Sequence, residues 1–533
     1  CRRQGRIVLN ASELRELLET SIYAVERNPI ACQIAGFSLI LAMLSYLEPP
    51  ELHQRKNFKF PTLVGNNLFT EDFFNERGRF WQQVVSPEGL GIKFDCIVGN
   101  PPWVEADSES SESKHFRKWY AAYKTEYSLA RNRTGEAFAW RALHCLSTGG
   151  TVGLILHAKT LTNDQLKEWR KKFFCGVRVR RITNFSNMKY VLFASGRHPC
   201  FSIVFERKNG AASSSDIVHF GPFVANQRVA GVRTRKKRRS WSIGFTESEI
   251  KIVRGSDAQN GSAMVWKMAL WGTERDIKAI QRLRVIFSTT LGQFSSSKQW
   301  SLSLGLQLRA GKGSKKDPNE EVLDKSGKNV LCNLKVLNHA ALVKTKGILS
   351  IDDDYLIQNE LGCFIRKGRH AGLGILKGPR LFLWNNFAAY SDKRFIIRHD
   401  KLCLAGGSES EMKAVAAIWS SNFASYLRFF VTSAAWGVGY SHIDKGDAEN
   451  LPFPELNLQS IERLSAAWAE ASELESKGSN FLAIQSFLDD RIALVFGIPD
   501  STKTLVREFF NVRFALNEEI GRASCRERVS SPV

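Results

Sequence analysis

The sequence predicts an α/β fold for residues 21–205 within a chain of two or three domains. The pattern of apolar residues predicts the fold, and the length and composition predict the number of domains. Short apolar runs alternate there with amphipathic stretches, which is the pattern of strands and crossover helices in a mostly parallel sheet. The chain also has 533 residues, of which 43% are hydrophobic and 24% are charged. It is therefore long enough for two or three domains with sizeable cores.

Six strands and four helices are expected in this first part of the chain. The strands are predicted at residues 22–25, 62–64, 96–98, 151–156, 179–185 and 201–205. The helices are predicted at residues 11–18, 29–47, 136–145 and 164–174, with Ser12 as the N-cap of the first. Gly149 and Gly150 are expected to form a tight turn ahead of the strand at 151–156.

The character of the chain changes after Glu206, where short β-like runs, glycines and basic residues become frequent, so we place a boundary near residue 210. From about residue 457 the apolar residues recur at three-to-four-residue spacing, which predicts a helical segment. The predicted domains are residues 1–209, 210–456 and 457–518. Residues 519–533 resemble read-through from a sequencing adapter and are left out of the fold prediction.

The composition limits the classes of partner and the cellular compartment. A net charge of +22 with a pI of about 9.6 favours a polyanionic partner, and DNA, RNA and a membrane surface fit the charge equally. Ten cysteines are scattered without zinc-ligand spacing, which argues against a disulfide framework and a structural metal site and favours a reducing, cytoplasmic location. Apolar runs such as residues 34–47 fall short of the roughly 20 residues that a bilayer crossing needs.

The most informative string is the apolar stretch of residues 94–99 followed by Asn100, Pro101, Pro102 and Trp103. Ligands of open α/β sheets bind at the carboxyl ends of strands, where this tetrapeptide must project. The two prolines fix their φ angles, so the Asn100 side chain and the Pro101 carbonyl can be held rigidly as a pair of acceptors. A rigid structural turn after a strand is the alternative interpretation.

Two acceptors are what an exocyclic amino group requires, because it has two hydrogens and a lone pair that is conjugated with its ring. Hydrogen bonds to both hydrogens localise the lone pair, so the nitrogen can attack a methyl donor through positioning and electrostatics. Trp103 offers a broad face for stacking of an extruded base, worth roughly 1–3 kcal/mol.

The tetrapeptide after a strand resembles the signature of the amino-methyltransferases, specifically the adenine-N6 DNA methyltransferases of the gamma arrangement, which include restriction-modification and phage-defence enzymes with a fused recognition domain. The resemblance implies a Rossmann-like sheet and the cofactor S-adenosylmethionine. It also implies that Glu26 binds the cofactor ribose and that Phe193 packs on the flipped base. Asn66 is the better match for binding the cofactor adenine and Asn67 the second candidate, with a role as turn residues as the alternative for both.

Two features depart from this family. A Pro often follows the fourth strand, whereas this chain has His157, to which we give a structural role. The family's first strand ends in a glycine-rich turn, and the residues before Ile22 supply none. We expect that turn to lie upstream of Cys1, and we expect the chain as given to bind the cofactor weakly or not at all.

The second half resembles target-recognition domains in pattern only, which predicts an α+β domain followed by a helical segment. Six basic residues are candidate phosphate contacts: Lys312, Lys315, Lys316, Arg366, Lys367 and Arg369. The basic run at residues 233–239 is interpreted as a solvated loop.

The sequence thus favours a site-specific methyltransferase acting on adenine N6 in double-stranded DNA, with restriction or defence-system subunits as possible partners. Methylation of RNA or of a protein glutamine is one alternative, since both present an amino group. A non-catalytic DNA-binding specificity module is another. No metal ligand set and no membrane partner are expected.

Overall fold

The computed structural model describes most of the chain. The described residues are 2–3, 6–7, 9–47, 58–106, 110, 113–188, 192, 198–208, 215–224, 243–244, 246–306, 308–309, 320–322, 334–338, 348–358, 364–366, 373–376, 378–398, 401–432, 435–437, 440–441 and 443–510.

Strands and helices are interspersed along the described chain. The strands are β1 (Arg2–Arg3), β2 (Arg6–Ile7), β3 (Ala24–Glu26), β4 (Leu68–Thr70), β5 (Phe94–Gly99), β6 (Leu146–His157), β7 (Val177–Asn184), β8 (Cys200–Arg207), β9 (Ile217–Phe220), β10 (Phe223–Val224), β11 (Ile243–Gly244), β12 (Ile250–Val253), β13 (Thr289–Thr290), β14 (Ser301–Leu304), β15 (Leu308–Arg309), β16 (Glu320–Val322), β17 (Val336–Leu337), β18 (Leu356–Ile357), β19 (Phe364–Arg366), β20 (Arg380–Leu383), β21 (Ala388–Ser391), β22 (Leu402–Ala405), β23 (Ala435–Gly437), β24 (Tyr440–Ser441) and β25 (Pro452–Phe453).

The α-helices are α1 (Ala11–Ser21), α2 (Pro29–Leu44), α3 (Lys114–Tyr123), α4 (Thr134–Cys145), α5 (Lys159–Thr162), α6 (Lys167–Gly176), α7 (Gly255–Gln259), α8 (Ala263–Trp271), α9 (Glu274–Ile286), α10 (Leu291–Ser297), α11 (Glu409–Ser420), α12 (Asn422–Val431), α13 (Lys445–Glu449), α14 (Leu458–Ser476), α15 (Phe481–Phe496) and α16 (Asp500–Glu508). A π-helix spans Phe80–Val85. The chain therefore has the mixed α/β content that its sequence predicts.

The chain divides into two compact units that alternate along the sequence. Unit 1 comprises Cys1–Leu156, Lys172–Arg180 and Ile203–Ser213. Unit 2 comprises His157–Lys171, Arg181–Ser202 and Ser214–Val533. The continuous domains proposed from the sequence, with boundaries at residues 209 and 456, stay a prediction.

Helix α1 of unit 1 begins at Ala11 as predicted, but its N-cap lies two residues before the predicted one. Asn10, not Ser12, is the N-cap: its side-chain oxygen accepts hydrogen bonds from the backbone N–H groups of Ser12 and Glu13. The Glu13 carboxylate accepts a hydrogen bond from the Asn10 N–H at 2.7 Å, which completes a capping box. Asn10 is the cap because its side-chain oxygen accepts from two backbone N–H groups of the first turn that have no partner within the helix.

Strands β3 and β4 form a parallel pair joined by α2, with Val25 opposite Phe69. The sequence places the second strand at residues 62–64, and that prediction is wrong because the strand lies six residues later, at Leu68–Thr70. Residues 63–68 instead form a tight turn, in which the Leu63 carbonyl accepts from the N–H groups of Asn66, Asn67 and Leu68. Gly65 adopts a φ of 89°, which favours glycine at this point of the turn.

Strand β5 pairs in parallel with β6, with Ile97 opposite Val152. Within unit 1 the order of neighbouring strands is β5, β6, β8, β7. The register shifts between Phe94 and Cys96, opposite Gly149 and Gly150. These glycines therefore lie at an irregularity inside β6, with Gly149 at a φ of 82°, and do not form a turn ahead of it as predicted.

Unit 2 contains a four-stranded antiparallel sheet in the order β14, β22, β20, β21. Helix α11 packs against β20 and β21 and against helix α14, which also contacts α15. The core between them buries large side chains completely, including Trp419, Tyr426 and Trp468. Strand β9 pairs with β12 and, through Arg181 to Thr183, with β7.

The remaining predicted elements are confirmed. The strands at 96–98, 151–156, 179–185 and 201–205 correspond to β5 to β8, and the helices at 29–47, 136–145 and 164–174 correspond to α2, α4 and α6. The helical segment after residue 457 is α14 to α16, with Leu464 and Leu488 buried as the spacing predicts. Among the described residues, no helix combines the length and the apolar character that crossing a bilayer requires.

Candidate active site

A cavity of about 1130 Å³ opens in unit 1 at the carboxyl ends of β3, β4 and β5. Glu26 and Asn28 line it after β3, and Asp72 and Phe73 line it after β4. Further lining residues are Asn100, Pro101, Pro102, Thr134 and Phe138. This is the edge at which open α/β sheets bind ligands, and the cavity is large enough for a drug-sized molecule.

Glu26 is fixed by the way in which α2 begins. Its Oε1 accepts a hydrogen bond from the Asn28 N–H at 2.8 Å, and Asn28 in turn caps α2 by accepting from the Ile30 N–H at 2.9 Å. Pro29 occupies the first turn, where its missing N–H costs nothing. The carboxylate of Glu26 is therefore held at the carboxyl end of β3, and the residue remains exposed to solvent.

The segment after β4 supplies a second acid to the cavity. Asp72 is half-buried, and its Oδ1 accepts from the Phe74 N–H at 2.8 Å. The Phe73 carbonyl accepts two hydrogen bonds, from Trp81 Nε1 at 2.8 Å and from Arg141 Nε at 3.1 Å. Two donors on one carbonyl hold the backbone of this segment in place.

Arg141 is a residue that the sequence analysis missed. It is 1% exposed on α4, its guanidinium lies 3.7 Å from the Trp81 ring centroid, and it also donates to Glu76 Oε1 at 3.1 Å. Burial lowers the pKa of Arg141, and the Glu76 carboxylate opposes that effect. Nothing in the local sequence distinguishes this Arg from a surface residue, because its partners come from a segment 60 to 70 positions earlier.

Asn66 and Asn67 lie at the other end of β4. Asn66 is exposed, and its amide donates to the Thr62 carbonyl at 2.9 Å. Asn67 is buried, and its amide donates to the Glu19 carbonyl at 2.6 Å near the end of α1. Neither is among the described residues that line the cavity. The misplaced strand explains this outcome, since the residues that follow the true strand are Glu71, Asp72 and Phe73.

The Asn100 loop lies where its sequence predicts, directly after β5. Asn100 is exposed and Pro101 is buried, and both line the cavity with Pro102. Thr134, the first residue of α4, anchors the loop: its Oγ1 lies 2.6 Å from the Pro102 carbonyl oxygen and 3.0 Å from that of Val104. A Thr at the start of the helix that follows the motif was the available signal for this anchor.

Trp103 is half-buried, and its indole N–H donates to the Ile155 carbonyl at 3.1 Å. It is absent from the described cavity lining, whereas its neighbours Pro102 and Val104 belong to it. Phe193, the second predicted stacking residue, lies outside the described residues. So do the run 233–239, the candidate phosphate contacts other than Arg366, and residues 519–533; Arg366 lies in β19.

His157 in unit 2 has a local contact that agrees with its predicted structural role. Its Nδ1 accepts from the Lys159 N–H at 2.9 Å, and the residue is 9% exposed.

Fold and site together define a class: an α/β protein with a carboxylate-bearing cavity at the carboxyl edge of its strands and a rigid Asn-Pro-Pro loop beside it. The comparisons narrow that class. Residues 20–191 match the family described as Eco57I restriction-modification methylase, which supports a DNA methyltransferase role. Among curated proteins the comparison finds no match.

Similar solved structures share little sequence with the chain. The type IIG restriction endonuclease BpuSI is 12% identical over 93% of this chain and 66% of its own, with a TM-score of 0.33. The type IIL restriction-modification enzyme MmeI, in complex with DNA, is 10% identical over 95% and 74%, with a TM-score of 0.44. The DrdV–DNA complex is 11% identical over 87% and 52%, with a TM-score of 0.47. The chain thus spans about two thirds of BpuSI and half of DrdV.

Proposed function

We propose that the chain carries the methyl-transfer and recognition parts of a site-specific DNA methyltransferase that modifies adenine N6 of a flipped base, in a restriction-modification or phage-defence system. One observation carries the proposal: Glu26, Asp72 and the Asn100 loop come from three separate segments and line one cavity. The family match over residues 20–191 supports it.

The cavity fits S-adenosylmethionine by the chemistry of its lining. A carboxylate at the end of a strand can accept both ribose hydroxyls, and Glu26 has that position. Asp72 offers an acceptor to the adenine amino group, and the Phe73 ring offers an apolar face, so we assign these contacts to the segment after β4 in place of Asn66 and Asn67. When bound, the cofactor would supply an electrophilic methyl group.

The Asn100 loop would hold the target amine. The side-chain oxygen of Asn100 and the Pro101 carbonyl each accept one of its two hydrogens, which leaves the nitrogen lone pair directed away from them. Thr134 keeps the loop from relaxing because it bonds the backbone on both sides of Trp103. Trp103 and, by resemblance, Phe193 are the proposed stacking residues for the extruded base.

The test is the Asn100→Ala variant, measured as methyl transfer from labelled cofactor to duplex DNA. Removal of one preorganised polar partner is expected to lower the rate by about 10²- to 10³-fold. Affinity for the same DNA should stay within about twofold, because Asn100 contacts only the flipped base. The cofactor is supplied at millimolar concentration.

Equal rates for the two proteins would refute the assigned site. DNA binding without transfer to DNA by either protein would favour the non-catalytic specificity module. Transfer to RNA or to a glutamine side chain, but not to DNA, would favour the other alternative.

A further inference from the structure

Helix α9 carries an exposed basic flank in unit 2. Its outward residues include Arg275, Lys278, Arg282 and Arg284. At 100° per residue the first three fall within an arc of about 60° and span about 10 Å along the axis. Arg284 projects from the opposite flank of the same helix.

The helix that bears this flank is firmly fixed in its unit. Thr273 and Asp276 form a capping box at its start, and Tyr426 donates to Asp276 Oδ1 at 2.6 Å. Ile280 and Leu283 on the inner face are fully buried. The backbone that carries the three cations is therefore already ordered, which limits the conformational entropy lost when a partner binds.

The flank lacks the carboxylate partners that other helices of unit 2 provide for several of their basic residues. Lys413 pairs with Glu409 at 2.6 Å, Arg491 with Glu470 at 2.6 Å, and Lys503 with Asp490 at 2.9 Å. Within the part of the chain that the structure describes, Arg275, Lys278, Arg282 and Arg284 have no carboxylate within 4 Å.

The acids of α9 offset only part of this excess. Asp276 is buried and bonded to Tyr426, so Glu274 is the single exposed acid of the helix. Lys278 and Arg282 stand four residues apart, a spacing at which like charges destabilise a helix. A polyanion that binds along this flank would relieve their repulsion.

We propose that Arg275, Lys278 and Arg282 of α9 lie along the phosphate backbone of duplex DNA, an inference that rests on the proposed function. Arg and Lys side chains are long and extend the reach of a row of about 10 Å at both ends, so three cations in this row can contact about two to three phosphates of one strand. Such contacts set affinity and register without reading the sequence. The flank thus supplies docking, and base recognition falls to other residues.

The experiment compares salt dependence of DNA binding in the full chain, measured by fluorescence anisotropy with a labelled duplex. In the triple variant Arg275→Gln, Lys278→Gln and Arg282→Gln, the slope of log affinity against log salt should shrink by about 2 to 3, since each phosphate contact contributes about 0.9. Affinity at 100 mM salt should fall at least about tenfold. Circular dichroism checks that the triple variant keeps the wild-type melting temperature.

The matched pair Arg282→Gln and Arg284→Gln separates position from charge. Both variants remove one cation from the same helix, but only Arg282→Gln should reduce the slope, by about 0.9. Equal slopes for the two, or an unchanged slope in the triple variant while the wild type binds DNA, would overturn the role of this flank and leave the proposed function standing.

A wild type that fails to bind duplex DNA at all would overturn both proposals. Binding to vesicles of phosphatidylglycerol is measured as well, to test an anionic membrane surface as the partner of the flank. Binding to these vesicles that depends on the flank, with no DNA binding, would replace DNA by an anionic membrane surface.

Discussion

At the scale of single residues, the candidate site depends on side chains that bond to backbone carbonyls. Thr134 bonds the carbonyls of Pro102 and Val104, and Arg141 and Trp81 bond the carbonyl of Phe73. A carbonyl held in this way fixes the loop from which a functional side chain projects. Asn100 and Asp72 are therefore positioned by residues that need not touch any ligand.

Thr134→Val tests this positioning at the Asn100 loop. Valine has nearly the same shape but no hydroxyl, so the one O–H donor that the carbonyls of Pro102 and Val104 share is lost, and a melting-temperature decrease corresponding to about 1 kcal/mol is expected. Methyl transfer should fall about tenfold because the loop samples unproductive positions.

Thr134→Ser is the control, since it keeps the hydroxyl. It should retain most of the methyl-transfer rate, and a serine variant as slow as the valine variant would show that the hydroxyl is not the anchor. Both variants are compared by steady-state kinetics and by thermal unfolding.

At the scale of elements, helix ends are satisfied by residues distant in sequence as well as by local caps. The first amide of α12, at Asn422, donates to Asp489 Oδ1 at 2.8 Å, and the Asn422 side-chain amide donates to Asp489 Oδ2 at 2.8 Å. Asp489 belongs to α15 and is 1% exposed. Burial raises the pKa of Asp489 to about 6, despite these hydrogen bonds and the nearby Arg507.

The pKa of Asp489 predicts a pH dependence of stability. Between about pH 4 and pH 6 the folded chain keeps this proton while the unfolded chain loses it, so the free energy of unfolding decreases as pH rises through that window. The contribution is on the order of 3 kcal/mol.

Asp489→Asn isolates this contribution, because asparagine cannot titrate and still offers an acceptor to the Asn422 amide. Urea denaturation at pH 4, 5, 6 and 7 should show that the difference in unfolding free energy between variant and wild type grows in favour of the variant as pH rises. A difference that stays constant with pH would exclude titration of Asp489 in this range.

At the scale of the whole molecule, the electrostatic properties are governed by the net charge of +22. Such an excess attracts polyanions and at the same time repels itself in the folded state. The pairing of cations with carboxylates on α11, α15 and α16 reduces this repulsion locally, whereas the described cations of α9 form no ion pair and keep most of their charge uncompensated.

Salt should therefore stabilise the free protein while it weakens DNA binding. Raising KCl from 20 to 200 mM shortens the screening length severalfold, and we expect the melting temperature to rise by about 2 to 5 °C. Scanning fluorimetry measures this change, with an equivalent sucrose series as control for excluded-volume effects. A melting temperature that falls with KCl would mean that attractive ion pairs outweigh the repulsion.

The sequence predicted most elements of the first 210 residues because their apolar periodicity is set locally. The strand at residues 68–70 escaped prediction because a tight turn at 63–68 has the same apolar character as a short strand, and only pairing with β3 distinguishes the two. Because of that single error, Asn66 and Asn67 were placed after the strand, whereas they precede it and Asp72 follows it.

What the sequence by itself determined is the position of the Asn100 loop and of Glu26 at the ends of apolar strands, since a polar turn directly after an apolar strand fixes where its side chains lie; the chemistry assigned to them stays a prediction. Only the tertiary structure decided which residues share a cavity with that loop, and which hold it. Glu26 and Asp72 share the cavity with the loop and Thr134 bonds it, and these residues come from segments 28 to 74 positions away. This arrangement depends on the packing of strand ends and helix starts, and local residue patterns do not encode that packing.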